Sequence, residues 1–191
     1  INNRCALPIT LIDLPSFGYY NYLNSANDSN ILDNIDVLFW ILDINRACVS
    51  KDEITFIRRY FHKSIYLIFT HMDAYSSSEI ESSVSNMKNS IKIGQINFDG
   101  VFNKTASTCI EDNGRYSLYE FINSYQENPF ASCGTHTIAV VGGCKSGKST
   151  FINALLGENI LLSATTPVSC VPVHIRYGQE HRVFVSFISA D

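Results

Sequence analysis

Apolar residues along this chain follow two alternating rhythms. Short, nearly continuous runs occur at Ala6–Asp13 (ALPITLID), Asp36–Asp43 (DVLFWILD), Ser64–Thr70 (SIYLIFT) and His136–Gly142 (HTIAVVG), with a weaker one at Phe98–Thr105 (FDGVFNKT). Runs of this length predict strands covered on both faces, as in a parallel sheet. Between them the period lengthens. Lys51–Phe61 places Ile54, Ile57 and Phe61 on one stripe. Ser77–Ile91 does the same with Ile80, Val84, Met87 and Ile91, and Arg115–Tyr125 is short and amphipathic. Lys148–Gly157 reads as a helix stopped by a glycine cap. Strand–helix alternation of this kind predicts a doubly wound α/β domain. The last stretch differs. VPVHIRYG and HRVFVSFI, separated by Gln179 and Glu180, read as an antiparallel edge hairpin. Polar Asn21–Asn30 reads as a loop and Ser124–Gly134 as a linker.

Composition narrows the class. The chain has 191 residues, 46% of them hydrophobic, enough for a single domain with a core. Its formal net charge is −4. An acidic balance argues against nucleic acid as a partner. The six cysteines show no C-x-x-C pair and no zinc spacing with histidine, so reduced, mostly buried thiols and a cytoplasmic location are expected. No apolar run approaches the ~18–20 residues that span a bilayer, and the N-terminal INNRCALPITLIDLP has no signal-peptide layout.

The chemistry is concentrated at Gly142-Gly143-Cys144-Lys145-Ser146-Gly147-Lys148-Ser149, which matches G-x-x-x-x-G-K-[ST] in full, with Thr150 next. Glycines let backbone N–H groups curl around phosphate oxygens. Lys148 is expected at the β/γ-phosphates and the Ser149 hydroxyl on Mg²⁺. The helix that follows points its positive end at the anion.

The remaining parts of such a site are found upstream. Asp13, at the end of an apolar strand in ITLIDLPSFG, is the candidate Mg²⁺-side carboxylate. Thr70-His71-Met72-Asp73 follows another strand; Asp73 could accept from the N1–H and 2-amino group of guanine, which adenine does not offer together. Thr105-Ala106-Ser107 follows the next strand, and the Ala106 N–H could meet guanine O6. All three lie at predicted C-terminal strand ends, where ligands of such sheets sit. Together they predict a guanine-nucleotide site.

On these residues the chain resembles the dynamin superfamily, most closely the bacterial dynamin-like GTPases. KSTFINALLGENILLSATTPVSCVPVHIRYG is similar to their phosphate-loop helix, first switch and first edge strand, and LIDLPSFG to their second switch. DVLFWILDINRACVSKDEITFIRRYFHKSIYLIFTHMD is similar to the strand–helix–strand leading to their base loop. The motif order differs from the family's, with the second switch and base loop preceding the phosphate loop. A circularly permuted P-loop G domain is therefore expected over 1–191. Residues 1–125 would form the second-switch and guanine-reading half, 126–135 a linker, and 136–191 the phosphate loop, first switch and edge hairpin. Engineered permutation or excision from a longer chain is the expected source of the missing initiator Met and of the end at Asp191.

The resemblance implies GTP hydrolysis to GDP and phosphate, with Mg²⁺, a monovalent cation near the phosphate loop, and activation by a second copy or another dynamin-like subunit across the nucleotide face. It places Ser16 where a second-switch Gly meets the γ-phosphate, and His71 where a Lys packs along the nucleotide. It places Cys144-Lys145 where a Gln-Ser pair orients water and cation, with Lys145 a candidate positive charge at the β–γ bridge. Ser169 falls where a first-switch Thr closes the Mg²⁺ shell; Thr165 and Thr166 are alternatives. The departures at Ser16, His71 and Cys144 keep open a nucleotide-binding switch with little turnover; a permuted ribosome-assembly GTPase is the less favoured alternative, since the early Asp13 motif and the acidic charge argue against it. Membrane remodelling is implied for the parent family, and membrane contact is expected only through parts absent from this chain.

Overall fold

A computed structural model describes residues 9–17, 32–46, 48–102, 136–156, 158–161 and 172–176. In chain order these form β1 (Ile9–Asp13), β2 (Val37–Asp43), α1 (Lys51–Tyr60), β3 (Ser64–Thr70), a 3-10 turn at Met72–Ala74, α2 (Ser77–Ile93), β4 (Gly100–Phe102), β5 (His136–Gly142), α3 (Lys148–Leu156) and β6 (Val173–Arg176).

The six strands make one sheet in the order β4-β3-β2-β5-β1-β6. Every neighbouring pair is parallel except β1 and β6. This is the mostly parallel sheet with an antiparallel edge that the apolar runs predict. β5 pairs with β1 from Ile9↔His136 to Asp13↔Val140, and with β2 from Val37↔Ile138 to Ile41↔Gly142. The glycine-rich loop thus leaves the centre of the sheet with a strand from the first half of the chain on each side. A backbone bond from Leu14 N–H to the Val140 carbonyl (3.1 Å) extends the β1 seam. Asp36 closes the other seam twice: its N–H donates to the Thr137 carbonyl and its Oδ2 accepts the Thr137 N–H, both 2.9 Å.

Alternation along the strands divides the core in two. Leu38, Trp40 and Leu42 of β2, with Leu67 and Phe69 of β3, pack on one face against Ile57 of α1 and Val84, Met87 and Ile91 of α2. Val37, Phe39 and Ile41, with Ile138 and Val140 of β5, pack on the other against Phe151 and Ile152 of α3. Both faces of the strands are apolar because both are covered. Each fully buried aliphatic side chain contributes about 1.5–3 kcal/mol through lost water contact.

Local signals agree with the element ends. Ser50 caps α1: its Oγ accepts the Glu53 N–H while Glu53 Oε2 accepts the Ser50 N–H, a reciprocal box that satisfies two donors the helix cannot. At the start of α2 the Ser76 N–H and hydroxyl both donate to Glu79 Oε2 (2.9 and 2.6 Å). β4 begins at Gly100, two residues after the predicted start at Phe98, and residues 103–105 lie outside the described residues. Asp99 is used before the strand begins, its N–H donating to the Ile65 carbonyl and its carboxylate accepting the Ile65 N–H. The second hairpin strand, the Arg115–Tyr125 helix, the Asn21–Asn30 loop and the linker at 126–135 lie outside the described residues.

Candidate functional site: a phosphate loop completed from upstream

The loop between β5 and α3 is built for close packing. Gly147 takes φ +88°, a left-handed conformation open to glycine without steric cost. Lys145 is also left-handed (φ 57°), and both it and its neighbour Cys144 are exposed. Gly142, Gly143 and Ser146 are buried. The Ser146 N–H returns to the Gly143 carbonyl (3.3 Å), and the Phe151 N–H reaches the Gly147 carbonyl (2.8 Å), which starts α3 at the loop. Thr150 is exposed in the first turn of that helix.

Lys148 lies at the centre, only 7% exposed. Its Nζ donates to the Gly143 carbonyl (3.0 Å), the Gly142 carbonyl (3.3 Å) and Ser16 Oγ (2.9 Å). Burial pushes its pKa below the usual lysine value, opposed by the negative charge of Asp13 and by Cys144 and Glu53. An amine buried with only neutral oxygen partners is a strong attractor for an anion. Next to it, the Ser149 hydroxyl donates to Asp13 Oδ2 at 3.2 Å. Asp13 is fully buried at the end of β1. A hydroxyl and a carboxylate converging at a helix N-terminus are hard oxygen donors, a set that suits Mg²⁺ together with phosphate oxygens. Among the described residues no cluster of three or more His, Cys, Asp or Glu could hold a metal by itself.

The base loop is stitched to the phosphate loop. The buried Thr70 hydroxyl donates to the Ser146 carbonyl at 2.8 Å. A Cβ added at Gly147 would lie 3.7 Å from Thr70 Cβ and 3.8 Å from His71 Cε1. His71 is left-handed (φ 58°, ψ 33°), and Asp73 sits exposed in the 3-10 turn that follows.

Of the candidates, the structure therefore gathers Asp13, Ser16, Thr70, His71, Gly142, Gly143, Ser146, Gly147, Lys148 and Ser149 at one end of the sheet. Cys144 and Lys145 stand on the outer, exposed turn of the loop. Thr105, Ala106, Ser107, Thr165, Thr166 and Ser169 lie outside the described residues.

Two features were not anticipated. Arg46 forms a bidentate pair with buried Glu53 (Nη1–Oε1 2.8 Å, Nη2–Oε2 3.0 Å), and its guanidinium lies so close to Gly143 that a side chain there would collide with it. The S-x-x-E spacing of Ser50 and Glu53 carries a signal for the cap, but nothing local announces Arg46. Asp43, at the end of β2, is the second: its strand-end position resembles that of Asp13, and its Oδ1 lies 3.1 Å from His71 Nδ1.

No helix among the described residues is long and apolar enough to cross a membrane. The family model for the dynamin family matches residues 138–189. The chain is similar to a bacterial dynamin-like protein from Nostoc punctiforme, 46% identical over 54 residues, covering 28% of this chain and 8% of that protein. It is also similar to dynamin-like protein 2 from Campylobacter jejuni, 30% identical over 95 residues, covering 48% of this chain and 16% of that protein. The matched segments thus span no more than about a sixth of either relative's length.

Proposed function

We propose that this chain carries a GTPase domain of the dynamin superfamily, to which it is similar over residues 138–189, and that it binds guanine nucleotide with Mg²⁺ and hydrolyses GTP to GDP and phosphate. The observation that carries the reading is the 3.2 Å bond between Ser149 and Asp13, residues 136 positions apart that meet beside the buried amine of Lys148. A phosphate chain lying along the N-terminus of α3 would replace neutral partners of Lys148 with charged oxygens. Ser149 and Asp13 would hold Mg²⁺, which supplies charge neutralisation between β- and γ-phosphates when bound.

The chain's own residues then do the positioning. Lys148 holds the β/γ-phosphates, and loop N–H groups cradle them. Ser16, at hydrogen-bond distance from the Lys148 amine, belongs beside the γ-phosphate. Thr70 locks the base loop to the phosphate loop so that Asp73 reads guanine, with Thr105-Ala106-Ser107 as the third loop. Lys145 supplies positive charge to the β–γ bridge from the exposed turn it shares with Cys144, where a monovalent cation also belongs. Ser169 completes the first switch. A second copy packed over the nucleotide face activates turnover. The chain works as one domain over 1–191 with permuted motif order, in the cytoplasm, and membrane contact belongs to other parts of the parent protein. The permuted reading is supported by the position of β5 between β1 and β2.

The Ser16–Lys148 contact favours a second reading, a nucleotide-binding switch with little turnover, since the amine is already engaged where a γ-phosphate would arrive. Phosphate release from GTP separates the two. We expect Mg²⁺-dependent release that falls by at least ~100-fold in Lys148→Ala, as loss of a charge-paired phosphate contact implies. Binding of GTP without release supports the switch instead.

A further inference from the structure

A cluster at the ends of β2 and β3 lies beside the phosphate site but takes no part in the phosphate chemistry. Asp43 Oδ1 accepts both the backbone N–H (2.9 Å) and the Nδ2 amide (2.7 Å) of Asn45. The same oxygen lies 3.1 Å from His71 Nδ1. The Tyr75 hydroxyl donates to Asn45 Oδ1, which ties the turn after His71 back to the loop after β2. His71 holds a left-handed backbone, a conformation disfavoured for any residue with a Cβ. Its Cε1 faces Gly147 of the phosphate loop.

Three side chains, Asp43, Asn45 and Tyr75, therefore specify the orientation of one imidazole at the border between base loop and phosphate loop. A lysine at this place would need no such support, since its flexible stem packs from many directions. A ring presents a useful face in only one orientation. The Asp43 side chain is 16% exposed and that of His71 is 46% exposed, so the ring is anchored on its Nδ1 side and remains partly open.

We propose that Asp43 is a positioning residue for nucleoside binding: with Asn45 and Tyr75 it fixes the His71 imidazole as the wall on which the guanosine of a bound nucleotide packs. The inference rests on the guanine-nucleotide reading and adds to it the residues that set affinity for the nucleoside, as distinct from the phosphates. A wall already held in place avoids the ordering cost of freezing a side chain on binding.

The test is calorimetric titration, with Mg²⁺, of GDP and of pyrophosphate into the wild type, Asp43→Asn, His71→Ala, the double variant and Tyr75→Phe. GDP affinity is expected to fall about five- to tenfold in Asp43→Asn and in His71→Ala, and no further in the double variant. Pyrophosphate, which lacks a nucleoside, should bind all of them within about twofold. Tyr75→Phe alters only an exposed hydroxyl, so the fold is retained, and it should weaken GDP slightly while leaving pyrophosphate unchanged. Multiplying losses in the double variant, or equal losses for GDP and pyrophosphate, would overturn the assignment. Wild type that binds pyrophosphate but not GDP would also overturn it. Binding of neither ligand would defeat the nucleotide reading itself, and this assignment with it.

Discussion

Lys148 is the residue on which the site's electrostatics turn. Burial pushes its pKa below the usual value, so the unfolded chain holds the proton more tightly than the folded one. The sign follows: this group's contribution to stability is least favourable at neutral pH and improves as pH rises toward the ordinary lysine value. Lys148→Met should therefore be more stable than the wild type near neutral pH, with the difference shrinking toward about pH 10. Urea midpoints at the two pH values check this, and a constant difference would contradict it. The same substitution should remove phosphate affinity, which makes the residue a case of stability given up for binding. Glu53 is the opposite kind of residue. Its carboxylate is 1% exposed, pairs with Arg46 through both oxygens and caps Ser50. Glu53→Ala takes the carboxylate from the guanidinium beside Gly143 and removes the acceptor of the Ser50 N–H, one half of the α1 capping box. We expect a loss of about 2–4 kcal/mol, read as a lower urea midpoint.

At the scale of the element, what matters is which face each helix presents. Ile57 of α1 is fully buried against the sheet, whereas Ile93, the last residue of α2, is 83% exposed. Ile57→Ala should cost about 2–4 kcal/mol and Ile93→Ala less than about 0.5 kcal/mol; equal effects would mean that α1 is not docked as described. This division was legible in the chain. The apolar runs marked β2, β3 and β5 almost to the residue, because a strand covered on both faces has no polar alternation to blur its ends. The helical stripe of Ile80, Val84, Met87 and Ile91 marked α2. Less legible was Glu53, a charged residue inside the predicted helix, because its burial depends on a partner seven residues upstream in a loop. The site followed the same rule. Gly142 to Ser149 declare themselves by spacing, and Asp13 and Thr70 by standing at strand ends. Asp43 and Arg46 do not, since their roles arise only when the ends of β2, β3 and β5 are brought side by side.

Across the whole molecule, the separated halves of the chain complete each other. β5 is flanked by β1 and β2, so the phosphate loop issues from between strands that precede it by about a hundred residues in sequence. Asp13, Ser16 and Thr70 each bond into the loop or the first turn of its helix from that earlier half. If these contacts build a single guanine-nucleotide site, recognition at the base loop must be felt together with recognition at the phosphate loop. The direct measurement is calorimetric titration of a non-hydrolysable GTP analogue and its ATP counterpart, both with Mg²⁺, on wild type and Asp73→Asn. A preference for the GTP analogue of at least ~10-fold, lost in Asp73→Asn, is the predicted result, since a carboxylate reading two guanine donors rejects a base that lacks them. Equal binding of the two analogues, or a preference that survives Asp73→Asn, would contradict it.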